Sequence, residues 1–249
     1  MVLYNLKCPM DRDLDQPLKG STKTETKQVT EPVAEEPLFF NRELSWLEFN
    51  RRVLDEAMDS GLPVLERLKF LSIFATNLDE FFMIRVSGLK EQLEEDVTEL
   101  SPDGLTAGEQ LREISRRLRP MLKKQVGYLK ENVFPELEAN GITIEPYRSL
   151  NAKDKKRCDK YFRDNLFPIL TPQSVDSSHP FPYISNLSLN IGLFIEPNRQ
   201  ETQKNLRHLF KQRRFTRIKI PPSVSRLVPV SEKDGRFTLI EEVISANAH

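Results

Sequence analysis

From Phe74 to Val86 the chain reads Phe-Ala-Thr-Asn-Leu-Asp-Glu-Phe-Phe-Met-Ile-Arg-Val. Thr76, Asn77, Asp79, Glu80 and Arg85 interrupt a stretch otherwise apolar and written at helical spacing. A polar group taken out of water without a partner costs about 1–3 kcal/mol, so a helix that is only core would not be written this way. Two chemistries fit these residues. The Asn77 side chain offers donors and an acceptor together, which is what the edge of a purine requires. Alternatively, Asp79 or Glu80 pairs with Arg85 or Arg51 in an internal network that ties two helices.

A second set of residues is suited to phosphate. Arg199 to Arg226 holds nine Lys or Arg and one acidic residue, Glu201, with Phe210 and Phe215 interleaved. A groove along a phosphate chain has this composition, as do a nucleic-acid patch and an ordinary solvated surface. The helical face Arg112, Arg116, Arg119, Lys123 and Lys130 leaves the same choice open. The histidines make no site. His179 opens the connection His-Pro-Phe-Pro-Tyr, His208 lies in the basic stretch, and His249 is the final residue. None has an Asp or Glu at a ligand-like spacing, so no catalytic and no metal-binding residue is assigned. Neither a Gly-x-x-x-x-Gly-Lys-Ser/Thr loop nor a Gly-x-Gly-x-x-Gly turn is present, so a nucleotide must be met by something other than a glycine-rich loop.

The 249 residues balance 37 Lys+Arg against 37 Asp+Glu, yet the neutrality is an average. Residues 1–100 carry 12 basic and 20 acidic side chains, and residues 101–249 carry 25 and 17. A basic second part hints at a polyanionic partner. With 38% apolar and 30% charged residues the composition is that of a globular chain of one or two domains, neither collagen-like nor wholly disordered. No run approaches the ~18–20 apolar residues that span a bilayer, and the N-terminus lacks a signal-peptide pattern, so no transmembrane segment and a cytoplasmic location are expected. Cys8 and Cys158 are far apart and form no C-x-x-C pair, and both are expected as free thiols.

The elements that must position these groups follow from periodicity. Residues 1–37 show no sustained apolar period and are expected as a disordered tail. Asn41 is a good N-cap for a helix carrying Leu44, Leu47, Val53 and Leu54, which Ser60-Gly61 ends. Pro63 starts a second helix, apolar on so many sides that burial is expected all round. Thr106 and Glu109 read as a capping box ahead of a long amphipathic helix, and another helix is expected from Asn151 to about Leu166. Beyond Pro168 the period falls to two. Leu187–Ile195, Phe215–Ile220, Leu227–Val230 and Phe237–Ile240 read as strands, with a mobile loop over Asn198–Arg217 and a helix starting near Leu239. The fold class is therefore α+β, a helical bundle over residues 38–142 followed by an incomplete α+β unit over 143–249.

Three motifs carry a family resemblance. Asn41-Arg-Glu-Leu-Ser-Trp-Leu-Glu-Phe-Asn through Ala57, Pro63-Val-Leu-Glu-Arg through Leu71, and Asn77-Leu-Asp-Glu-Phe-Phe-Met-Ile-Arg-Val86 resemble the N-terminal region of bacterial polyphosphate kinase of the first type. His179-Pro-Phe-Pro-Tyr-Ile-Ser-Asn-Leu-Ser-Leu-Asn190 is similar to the start of that family's next domain, the head. The resemblance covers roughly residues 38–249. It implies reversible transfer of the terminal phosphate of ATP to inorganic polyphosphate through a phosphohistidine, with Mg2+. It also implies ATP, ADP and polyphosphate as partners, a homo-oligomer formed through the head domain, and no nucleic acid. It maps the family's adenine-side asparagine onto Asn77, with Asp79, Glu80 and Arg85 as the network that positions it. The resemblance places the phosphorylated histidine and the Mg2+ ligands in parts of the family sequence that this chain lacks. The 249-residue chain is therefore expected to be an N-terminal fragment without kinase activity of its own. A non-catalytic polyanion-binding or dimerisation module is the alternative.

Overall fold

The structure is a computed structural model that describes residues 39–175, 179–195, 214–231 and 235–248. The expected disordered tail, most of the expected mobile loop, Cys8, His208 and His249 lie outside the described residues. The chain divides into two compact units between Leu137 and Glu138.

The first unit is helical. Helix α1 (Arg42–Glu56) begins on Asn41, whose Oδ1 accepts from the backbone N–H of Glu43 and of Leu44, both at 3.0 Å. The same side chain donates through Nδ2 to Asp103 and Gln110, each at 3.0 Å, so one cap also fixes where α1 starts against the rest of the bundle. Helix α2 (Val64–Phe81) passes into a wider π turn (Phe82–Val86) and then into α3 (Ser87–Glu94). Helix α4 (Ala107–Tyr128) opens on the expected capping box, with Thr106 and Glu109 bonding reciprocally. A second π turn (Leu129–Val133) leads to α5 (Phe134–Ala139).

The core forms from Leu47 and Leu54 of α1, Phe74, Leu78 and Phe81 of α2, and Leu111, Ile114 and Leu118 of α4. Arg67, itself buried, locks the start of α2. It donates to the Leu62 carbonyl and the Tyr128 hydroxyl, each at 2.9 Å, and pairs with Glu136. The expected all-round burial of α2 is not what the structure shows. Helix α1, with Gln125 and Tyr128 from the end of α4, covers one side only, which leaves Leu65 52% and Ile73 46% exposed on α2 and Ile84 61% exposed on the π turn that follows. Thr76, Asp79 and Glu80 lie on exposed positions too, where water meets their polar groups at no desolvation cost.

The second unit is α+β, with two three-stranded sheets sharing one core. One sheet has the order β1 (Thr143–Ile144), β6 (Arg236–Leu239), β5 (Leu227–Pro229), with β1 parallel and β5 antiparallel to β6. The other is antiparallel, with β4 (Arg214–Lys219) between β2 (Pro172–Val175) and β3 (Asn190–Ile195). Helix α6 (Ala152–Tyr161) extends through a π turn to Leu166, and α7 (Ile240–Ala246) follows β6 directly. Cys158, Phe162, Ile191, Ile218, Val228 and Ile244 meet in this core, and Cys158 is a buried free thiol. Two corrections follow. Strand β3 starts at Asn190 rather than Leu187, because Leu187 takes a left-handed turn conformation with φ 50 and is exposed. Strands β1 and β2 escape the periodicity, one being two residues long and the other an edge strand that opens on Pro172.

Tyr147 binds the elements of this unit together. Its N–H donates to Glu242 and its hydroxyl to Asp159, both at 2.6 Å. Burial first, and then the hydrogen bond to the Asp159 carboxylate, push its pKa from 10.0 up to about 12. A pKa raised on folding stabilises the native state fully below the unfolded value, and that contribution is lost as pH rises through about 12. An ultraviolet phenolate titration should show one late-ionising tyrosine that Tyr147→Phe removes. A late step that survives in the variant would contradict the assignment.

Candidate functional site

The site is built on two helices. Asn50 of α1 is fully buried, and its Nδ2 donates to the Phe74 carbonyl of α2 at 3.1 Å. Its Oδ1 accepts from Nδ2 of Asn77 at 3.0 Å. Asn77 is half-buried and lines a surface cleft of about 250 Å³ together with Trp46, Phe49, Glu80, Phe81, Ile84 and Arg85. Trp46 stacks on Phe81 with ring centroids 4.5 Å apart and planes 7° from parallel, which gives the cleft an aromatic wall. The extra residue in the π turn shifts the helix register after Phe81, and Arg85 lies on that turn while lining the same cleft.

Arg85 is held by charge rather than by a hydrogen bond, with Nη1 3.6 Å from Oε1 of Glu43. The other oxygen of Glu43, Oε2, is buried without a partner. An amide that can both donate and accept, an aromatic wall and a half-exposed guanidinium therefore share one cleft. Such a set suits a flat polar heterocycle joined to an anion.

Asp79 and Glu80 are exposed and join no ion pair among the described residues. Arg51 pairs along its own helix with Glu48 at 2.8 Å and Asp55 at 2.6 Å. The network expected from Asp79, Glu80 and Arg85 is thus replaced by two contacts from α1, Asn50 to Asn77 and Glu43 to Arg85. A signal for Asn50 exists in the sequence, since it stands between Leu47 and Leu54 in the buried register of α1.

The other basic features are less suggestive. On α4, Glu113 accepts from both Arg116 and Arg117, whose hydrogen bonds hold its carboxyl down at about 2, so this face is partly neutralised from within. A larger cleft of about 300 Å³ in the second unit is lined mainly by apolar side chains. Its Lys219 is bonded to Ser185 and its Arg226 to Glu241, so the smaller cleft carries the stronger chemical case. His179 is exposed in the connection ahead of β3.

Residues 39–145 match the family described as polyphosphate kinase N-terminal domain, and residues 153–249 match the polyphosphate kinase middle domain. This chain belongs to the polyphosphate kinase family. The polyphosphate kinase of Synechocystis sp. is 47% identical over 194 residues, 78% of this chain and 25% of that relative. That of Mycobacterium marinum is 38% identical over 251 residues, 97% of this chain and 32% of the relative. The crystal structure of polyphosphate kinase from Porphyromonas gingivalis matches with a TM-score of 0.67 at 25% identity, covering 84% of this chain and 30% of that one. The chain spans about a quarter to a third of the length of these polyphosphate kinases. The Asn77 cleft lies within the stretch matched as the polyphosphate kinase N-terminal domain, and β2 to β6 lie within the middle domain. No helix among the described residues is long and apolar enough to cross a membrane.

Proposed function

We propose that this chain supplies the nucleotide-facing part of a polyphosphate kinase, which transfers the terminal phosphate of ATP reversibly to inorganic polyphosphate. Asn77 contacts the adenine edge in this reading. The observation that carries it is the half-buried Asn77 amide in the Trp46–Phe81 cleft, with one N–H spent on Asn50 and Oδ1 without a hydrogen-bond partner among the described residues. Transfer of this kind depends on positioning and electrostatics more than on covalent help from the base site, so the role of Asn77 is orientation.

The phosphohistidine belongs to the rest of the enzyme, since none of His179, His208 and His249 stands in a motif of that kind. In the family Mg2+ neutralises charge on the phosphates. The described residues do not fit it, because no group of three or more His, Cys, Asp or Glu converges among them, and no step is assigned to the metal here. The 143–249 unit is the proposed site of homo-oligomer contact, and the location is cytoplasmic.

The test is ATP binding by the purified chain and by Asn77→Ala, with an ATP-to-polyphosphate assay alongside. Loss of a bidentate base contact predicts at least a roughly fivefold weaker affinity for ATP in Asn77→Ala. The unaltered 249-residue chain is expected to show no turnover. Equal affinities in the two proteins would overturn the reading of Asn77, and turnover by the chain would overturn the placement of the chemistry elsewhere.

A further inference from the structure

Asn50 is fully buried, and the sequence resemblance assigns it no role. Its surroundings leave its amide a single orientation. The Phe74 carbonyl is only an acceptor, so the Asn50 atom 3.1 Å from it must be Nδ2. Oδ1 of Asn50 then faces Asn77, and the Asn77 atom 3.0 Å away must be a donor, its own Nδ2. A backbone carbonyl cannot rotate end for end as an amide can. Phe74 lies inside α2, so this reference point is rigid, and it dictates the orientation of two side chains in series.

One N–H of Asn77 is consumed by Asn50. What remains for a ligand is an ordered pair, one acceptor oxygen and one N–H. The polar edge of adenine offers an exocyclic N–H beside a ring-nitrogen acceptor, which this pair matches. Guanine in the same pose reverses the order, setting its O6 against the amide oxygen and its N1–H against the amide N–H, so an Asn77 held in one orientation by Asn50 meets like against like. Were Asn77 free to flip, that discrimination would be lost, because either order of oxygen and nitrogen would be available.

We infer that Asn50 is a positioning residue for base selection: through the Phe74 carbonyl it locks the Asn77 amide in the orientation that prefers adenine nucleotides over guanine nucleotides. This rests on the reading of Asn77 as the base contact. It adds a residue that touches no substrate and a specificity that the amide of Asn77 does not possess unaided.

The experiment titrates the full 249-residue chain with ATP and with GTP, observing the side-chain amides and the Trp46 indole by NMR. Asn50→Leu keeps the number and branching of side-chain heavy atoms, though with more bulk, and removes both hydrogen bonds, and the Phe74 carbonyl retains its helical partner. The expected result is an ATP-over-GTP ratio that falls at least roughly fivefold in Asn50→Leu, largely by gain of GTP binding. In its protonated form Asn50→Asp keeps an acceptor facing Asn77 and a donor toward the Phe74 carbonyl, and should hold the ratio closer to that of the unaltered chain. A purely structural role for Asn50 would lower both affinities together and leave the ratio unchanged, and that outcome overturns the inference. Loss of selectivity in Asn77→Ala with none in Asn50→Leu would also reject Asn50 while preserving the base contact. ATP binding that is indifferent to Asn77→Ala would instead reject the underlying reading. Should either Asn50 variant fail to fold, the unaltered chain decides. One Asn77 amide proton protected from exchange and the other not supports the lock, and two equally fast protons overturn it.

Discussion

Replacing Phe81 by alanine is expected to destabilise the helical unit by about 3–5 kcal/mol, the range for deleting a buried phenyl ring. Phe81 is 2% exposed, so almost the whole ring is removed from the core. It also stands in the middle of an aromatic series, stacked on Trp46 at 4.5 Å and meeting Phe82 edge to face at 6.2 Å. Its position at the end of α2, where the π turn begins, leaves little freedom for the backbone to collapse into the void. The Asn77 cleft uses the same ring as its wall, so stability and site geometry should fail together. Trp46 is the only tryptophan, which makes its near-ultraviolet signal a direct reporter of the stack. A denaturant titration should therefore show an earlier midpoint, and the native-state tryptophan signal should change at once. A shift equivalent to less than about 1 kcal/mol would mean that the ring is not the core element its burial implies.

Much of this arrangement is legible in the residues because local chemistry and global fold agree. Asn41 ahead of an apolar period, Thr106 three residues before Glu109, and the alternation through Asn190–Ile195 each become the cap, capping box or strand that their chemistry favours. The buried side of α2 is not legible in that way. Its apolar residues occur on every face, and only the placement of α1 decides that Phe74 and Phe81 go inside while Leu65 and Ile73 face water. The partners of the polar residues in α2 are missed for the same reason, since spacing along one helix says nothing about Glu43 and Asn50 on another. The π turns also leave no mark in composition, although one of them carries Arg85 at the cleft. Asn77 stands out from its type, its surroundings and its motif, whereas the direction of its hydrogen bond needs the Phe74 carbonyl in three dimensions.

Gly235→Ala is expected to be strongly destabilising in the second unit. Gly235 has φ +59, a left-handed conformation that costs an alanine about 1–2 kcal/mol. A Cβ built there would lie 2.2 Å from the Gly141 carbonyl oxygen and 3.3 Å from its carbon, a clash with backbone that no rotamer relieves. Moving that backbone apart adds a further cost of about 1–3 kcal/mol, the range for overpacking. The displacement falls where β1 joins β6. Thr143 donates to the Gly235 carbonyl at 3.0 Å, and the parallel pairs Thr143 with Arg236 and Ile144 with Phe237 follow at once. Arg236 then reaches Glu145 and Asp154, so a shift at Gly235 also strains the ion pairs that join β6 to β1 and α6. Strand β1 has only two residues and cannot find a second register, so the expected result is its release from the sheet rather than a slip. Hydrogen exchange should show the Thr143 amide losing protection in Gly235→Ala, while Gly104→Ala provides the control. Gly104 has φ +86 but nothing within 4 Å of the added Cβ, so only the conformational cost applies there. Similar stability losses in the two variants would show that the close approach to Gly141 contributes nothing, and a larger loss in Gly235→Ala would isolate its contribution.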